Sequence, residues 1–170
     1  MITISLCIIV KNEEKILARC LDSIADLMDE IIVVDTGSAD RTKEIAAHYT
    51  EHIYDFEWVD DFSAARNYAF SKASGEYIYS ADADEVLDED NRRRFRRLKE
   101  TLLPEVEIVQ MKYANQLQYN TIYNFDEEYR PKLFKRKRDF VWEAPIHETV
   151  RLEPVVYDSD IVINHLPEAS

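Results

Sequence analysis

The chain has 170 residues, enough for one substantial core and not for two, and its 46% apolar, 32% charged composition is that of a folded soluble domain rather than a disordered segment. Thirty-four acidic against 21 basic residues give a formal charge of −13. That field repels nucleic acid phosphates and anionic lipid, so nucleic acid is excluded as an expected partner, and a nucleotide diphosphate could bind only where a metal ion or arginines met it locally.

Thr3 to Val10 is apolar and β-branched on both parities, which predicts a parallel strand covered on both faces. It lacks a basic start and a cleavage site and is too short to span a bilayer, so no transmembrane segment is expected. Asn12 is placed to cap a helix with Glu13 and Glu14 in its first turn and Ile16, Leu17, Cys20, Leu21, Ile24 and Met28 at helical spacing. Cys7 and Cys20 occupy apolar positions of this strand and helix and read as reduced core thiols, with the cytoplasm, and possible attachment to a membrane periphery, as the expected location. Ile31 to Val34 repeats the buried-strand pattern and stops at the turn Asp35-Thr36-Gly37-Ser38, followed by a helix from about Asp40 to Tyr49.

A strand near His52 to Phe56, a helix over Phe62 to Ala73, a strand over Glu76 to Ser80 and a charged helix around Asn91 to Leu102 continue the alternation. Such a rhythm predicts a right-handed, largely parallel sheet. After Pro104 the pattern changes to alternating segments, Ile108 to Tyr113 and Leu117 to Tyr123, which read as antiparallel strands. Gly37 and Gly75 are the only glycines, so neither a Walker loop nor a dinucleotide fingerprint is possible. Leu166 to Ser170 reads as an abrupt stop, as expected of a piece of a longer protein.

In open α/β sheets, ligands bind beyond the carboxyl ends of the strands. Three polar clusters fall there: Lys11 to Glu14, Asp35 to Ser38, and Asp82 to Glu85. Hard divalent cations take one or two carboxylates from protein and leave positions for substrate phosphates, a demand that Asp82 and Asp84 meet. As a bare triplet the pair could equally be a solvated acidic loop with a helix cap. The basic runs Arg92 to Arg97 and Lys135 to Arg138 read as a solvated helix face and a hairpin end, and Tyr113, Tyr119, Tyr123 and Trp142 as sheet core or as a stacking surface for a sugar.

Four segments in order resemble the inverting nucleotide-sugar glycosyltransferases of family 2: Ile8-Ile9-Val10-Lys11-Asn12-Glu13-Glu14, Ile32 to Thr42, Phe62-Ser63-Ala64-Ala65-Arg66-Asn67-Tyr68-Ala69, and Asp82-Ala83-Asp84-Glu85. The resemblance covers nearly the whole chain. It implies a GT-A fold, a Rossmann-like three-layer α/β/α sandwich with a mostly parallel mixed sheet and an antiparallel β-rich second half. It also implies one domain over 1–170, with a donor-binding half at 1–103 and a catalytic and acceptor half at 104–170.

By the same resemblance, Asn12 and Glu14 border the donor, Asp35 and Arg66 contact the nucleotide base, and Asp82 meets the ribose or the metal. Asp84 and His165 would hold Mn2+ or Mg2+. Trp142-Glu143-Ala144-Pro145-Ile146-His147-Glu148, after Lys132-Leu133-Phe134-Lys135, resembles the branch with a hydrophobic-His-Glu loop, and implies Glu148 as catalytic base, with Glu143 the alternative. From the residues alone, Asp35 could merely cap its turn, Arg66 could pair with Asp60 or Asp61, and His147 and His165 could be satisfied structural histidines. The implied reaction moves sugar from a nucleotide diphosphate donor, a UDP-sugar, to a glycan, lipid or protein acceptor. The alternative is a catalytically silent sugar-nucleotide-binding module.

Overall fold

The computed structural model describes residues 1–58, 61–114, 128–136 and 155–167. In chain order the elements are β1 (Ile4–Val10), α1 (Leu17–Ile24) with a 3-10 turn at Ala25–Leu27, β2 (Glu30–Asp35), α2 (Thr42–Ala46), β3 (Ile53–Asp55), α3 (Phe62–Ser71) and β4 (Tyr77–Ala81). They continue with β5 (Glu85–Val86), α4 (Glu89–Thr101), β6 (Ile108–Ala114), β7 (Glu128–Lys135) and β8 (Val156–His165). The strands form one sheet in the order β3-β2-β1-β4-β7-β6-β8-β5. β3, β2, β1 and β4 run parallel, β7 is antiparallel to both β4 and β6, and β8 returns parallel to β6 and antiparallel to β5.

Both faces of this sheet are covered, which explains why β1 is apolar on both parities. Ile4, Leu6, Ile8 and Val10 point into the larger core with Leu17, Cys20, Leu21 and Phe95, whereas Cys7 faces the second core with Ile32, Val34, Ala69 and Ala73. The result is the expected three-layer GT-A arrangement, with α1 and α4 in the larger core and α3 on the other face. Gly75 lets the chain entering β4 pass β1 closely, since a Cβ there would lie 2.8 Å from Ser5 Oγ and 2.9 Å from Ser5 N.

Several helical boundaries differ from the sequence expectation. Asn12 does not cap α1: the helix starts at Leu17, and Asn12 sits at φ 54°, in the left-handed region that asparagine tolerates. The reason is tertiary, because the intervening loop is occupied in clasping its neighbour, as described below. The helix after β2 is confined to five residues rather than running from Asp40 to Tyr49. The charged helix starts two residues earlier than expected, capped by Asp88, whose Oδ1 accepts from Asn91 N at 2.9 Å, with Glu89 and Asp90 in the first turn facing the positive end of the dipole. Asn91 is therefore inside the helix and buried, where its Oδ1 accepts from Val162 N at 2.7 Å. The expected strand Leu117 to Tyr123 lies outside the described residues.

Candidate active site

The parallel strands β1, β2 and β4 end side by side, with Val10 in register with Asp35 and Ile8 with Ala81, so their following loops share one rim of the sheet. The first two loops are clasped together. Asn12 N donates to Ser38 Oγ at 2.9 Å, Ala39 N donates back to Asn12 Oδ1 at 2.7 Å, and Glu13 N donates to Thr42 Oγ1 at 2.8 Å. Glu14 N reaches Asp40 Oδ2, and Glu14 Oε2 accepts from Arg41 N, both at 3.3 Å. The polar side chains of Asn12 and Glu14 thus hold the second loop in place.

Asp35 closes its turn with one oxygen and leaves the other unmatched. Its Oδ1 accepts from Gly37 N at 2.9 Å and Ser38 N at 2.8 Å, closing the turn, while Gly37 takes φ 111°. Its Oδ2 is buried and finds no hydrogen-bond partner among the described residues. A buried carboxylate oxygen in that state is costly unless something else binds it.

The third loop carries the acids. Side-chain oxygens of Asp82, Asp84 and Glu85 lie within 4.8 Å of one another. Asp84 Oδ2 lies 2.8 Å from His165 Nε2, brought in from the last strand by the β5–β8 pairing of Glu85 with His165. Leu166 N donates to the Asp84 carbonyl at 2.7 Å, and Arg19 on α1 donates to the Leu166 carbonyl, so the strand end is tied on both sides. Asp84 Oδ1 is buried with no partner among the described residues. Two carboxylates, one with an orphaned oxygen, beside an imidazole form a donor set that suits a hard or borderline divalent cation, so the residues present fit the implied metal.

Arg66 lies on α3 with its guanidinium carbon 4.8 Å from the Phe62 ring centre. Together with Ser80, Asp82, Glu85, Arg130, Pro131 and Lys132 it lines a cavity of about 160 Å³ beside the acids. Asp61 caps α3 through Ala64 N at 3.2 Å, and Asp60 lies outside the described residues. Asp35, Arg66, Asp82, Asp84 and His165 are thereby all placed, whereas Glu143, His147 and Glu148 lie outside the described residues.

Sequence reasoning missed the floor of the site. Glu85 is 4% exposed, and Lys132 Nζ donates to its two oxygens at 2.8 and 2.9 Å, while Tyr113 Oη donates to Oε2 at 3.1 Å. Burial pushes the Glu85 carboxyl up, opposed by the Lys132 cation, and burial pushes the Tyr113 phenol up as well. The Tyr113 ring packs 5.0 Å from His165, and Arg130 lies 4.1 Å over its centre. The motif Asp82 to Glu85 flagged the acid, but no local signal links it to a lysine 47 residues away. A larger hollow of about 710 Å³ lies at the opposite, amino ends of β1 and β2, where Glu30 is bonded to Ser5 and Ser74 and Asp29 to Ile4 N.

Residues 5–151 match the family model described as glycosyl transferase family 2. The chain belongs to this family. Among curated relatives of this glycosyltransferase domain, a TPR repeat-containing protein of Synechococcus elongatus is 37% identical over 152 residues, covering 88% of the chain and 36% of that protein. The prophage-derived glycosyltransferase SunS of Bacillus subtilis is 30% identical over 170 residues, covering 96% of the chain and 37% of SunS. The chain therefore spans about a third of the length of these relatives. In fold it is similar to glucosyl-3-phosphoglycerate synthase of Mycobacterium tuberculosis, solved with Mn2+, UDP and glucosyl-3-phosphoglycerate, at a TM-score of 0.71 and 14% identity, covering 99% of this chain and 73% of that one. It is also similar to TarS of S. aureus, at a TM-score of 0.68 and 15% identity over 97% of this chain and 37% of TarS. No helix of the described residues is long and apolar enough to cross a membrane.

Proposed function

We propose that the domain performs metal-dependent, inverting transfer of a sugar from a nucleotide diphosphate sugar, a UDP-sugar, to an acceptor hydroxyl on a glycan, lipid or protein. The observation that carries this reading is Asp84, with one oxygen on His165 and the other buried and unmatched beside Asp82. Asp82, Asp84 and His165 would hold Mn2+ or Mg2+, the imidazole favouring manganese. A bound cation would supply positive charge to the departing diphosphate. The open oxygen of Asp35 and the guanidinium of Arg66 are assigned to the nucleotide base, and Asn12 and Glu14 to the border of the donor site through the clasp they make.

Inverting transfer is one displacement. The acceptor oxygen bonds to the anomeric carbon as the carbon–phosphate oxygen bond breaks, the nucleoside diphosphate leaves with the electron pair, and the acceptor proton passes to a carboxylate, assigned to Glu148 with Glu143 as the alternative. Residues 1–103 would bind donor and 104–170 would supply the base and the acceptor side. The UDP and metal complexes of the mycobacterial synthase, which shares this fold, support the choice of donor. The buried free thiols of Cys7 and Cys20 support a reducing, cytoplasmic setting.

Titration calorimetry of UDP with and without Mn2+, followed by assays of UDP-glucose hydrolysis, tests the reading. Binding should require the metal, and Asp84→Asn should weaken it by about tenfold or more; equal affinity in the variant would refute the metal assignment. Glu148→Gln should keep UDP binding and lower turnover by roughly 10²–10⁴-fold. Metal-dependent UDP binding with neither hydrolysis nor transfer would favour a donor-binding module.

A further inference from the structure

The acidic loop contains a third carboxylate for which the proposed transfer has no use. Glu85 lies close enough to Asp82 and Asp84 for all three to surround one cation. Its oxygens are instead met by Lys132 and Tyr113, and its backbone is paired with that of His165. Lys132 is itself 6% exposed, with its Nζ 5.5 Å from the Tyr79 ring centre, so the ammonium is enclosed and directed at Glu85. A buried ion pair is poor evidence of stabilisation, since apolar residues of the same shape often serve as well. The pair acts here on the neighbouring acids.

We infer that Lys132 is a positioning residue which, with Tyr113, holds Glu85 out of the metal's coordination shell. The inference rests on the metal and donor reading given above. Three carboxylates within 4.8 Å would repel one another and would together make a strong, nucleotide-independent cation site. With Glu85 matched to Lys132, the protein supplies Asp82, Asp84 and His165 only, and the remaining coordination positions are left to the donor phosphates. Metal binding is then weak alone and strong with nucleotide, which couples the two ligands to each other.

Mn2+ titrations followed by electron paramagnetic resonance, with and without UDP, test this on the whole protein. The unaltered protein should bind Mn2+ weakly alone and more tightly with UDP. Lys132→Met should tighten Mn2+ binding without nucleotide by about tenfold and shrink the gain from UDP, because Glu85 then enters the shell. The double variant Glu85→Gln, Lys132→Met removes both charges at nearly constant shape, so it keeps the inference testable if the single variant fails to fold. It should return Mn2+ affinity and its UDP dependence to the level of the unaltered protein. A tenfold loss in the double variant would make Glu85 a ligand and overturn the inference alone. So would an unchanged Mn2+ affinity in folded Lys132→Met. Failure of the unaltered protein to bind Mn2+ even with UDP would overturn the metal reading, and this inference with it.

Discussion

Asn12 holds a left-handed backbone at φ 54° and spends its side-chain carbonyl on Ala39 N. These two features separate under substitution. Asn12→Gly removes the hydrogen bond, worth about 1 kcal/mol, but adopts the backbone freely; Asn12→Ala loses the same bond and adds a left-handed penalty of about 1–2 kcal/mol. Urea unfolding should therefore rank the alanine variant below the glycine variant, although alanine is the better residue almost anywhere else. Both variants loosen the loop that carries Asp35. At this scale the sequence was legible in residue type and poorly legible in role. Asn12 and Asp35 stood out as polar residues at strand ends, yet whether Asn12 capped a helix or clasped a loop depended on partners 26 and 27 residues away. Asp35 closes its turn with Oδ1 alone, and its Oδ2 stays buried without a partner among the described residues.

Among the elements, α4 decides how firmly the acidic loop is backed. Asp88 caps it four residues after Asp84, and Phe95, fully buried, meets Tyr79 of β4 edge-on at 5.2 Å. Phe95→Ala should cost about 3–5 kcal/mol through lost burial and the cavity left behind. Asp88→Ala should cost about 1 kcal/mol through the lost cap. Thermal unfolding by circular dichroism distinguishes the two, and a cap variant as costly as the core variant would show that Asp88 does more than begin the helix. The βα alternation and the strands of the first half could be read from periodicity, because buried parallel strands and amphipathic helices imprint it directly. Helix starts were less legible: the loop after β1 offers Asn12 as a cap followed by two acids, but the hydrogen bonds of Asn12 go across to the next loop. The Lys132–Glu85 pair was least legible, since charged residues are ordinarily solvent-facing and nothing in β7 marks one as enclosed.

For the molecule as a whole, Asp29 is a junction. It accepts from Ile4 N at 2.8 Å and lies 2.7 Å from Lys99 Nζ, joining the start of β1, the approach to β2 and α4. Partial burial pushes its carboxyl up, but the bonds from Lys99 and Ile4 N outweigh that and hold it below the usual carboxylate value. A carboxyl lowered by folding contributes stability above its unfolded pKa and loses that contribution as pH falls through the lowered, folded one. Denaturant midpoints should therefore fall from neutral pH toward about pH 3, and Asp29→Asn should flatten that fall. An identical slope in the variant would remove Asp29 from the account.

The sheet order also fixes a sequence of events. His165 meets Asp84 across 81 residues and does so only after β8 has laid itself against β6 and β5. The parallel half can condense around β1, β2 and β4 from residues already synthesised, whereas closing a loop of that length comes late and slowly. A nascent chain halted before β8 would thus have the turn at Asp35 and the acids at Asp82 and Asp84 without the histidine that faces them. The Asp84–His165 contact is completed by the last of the described strands to be made, so partly made copies could fold much of the parallel half without it.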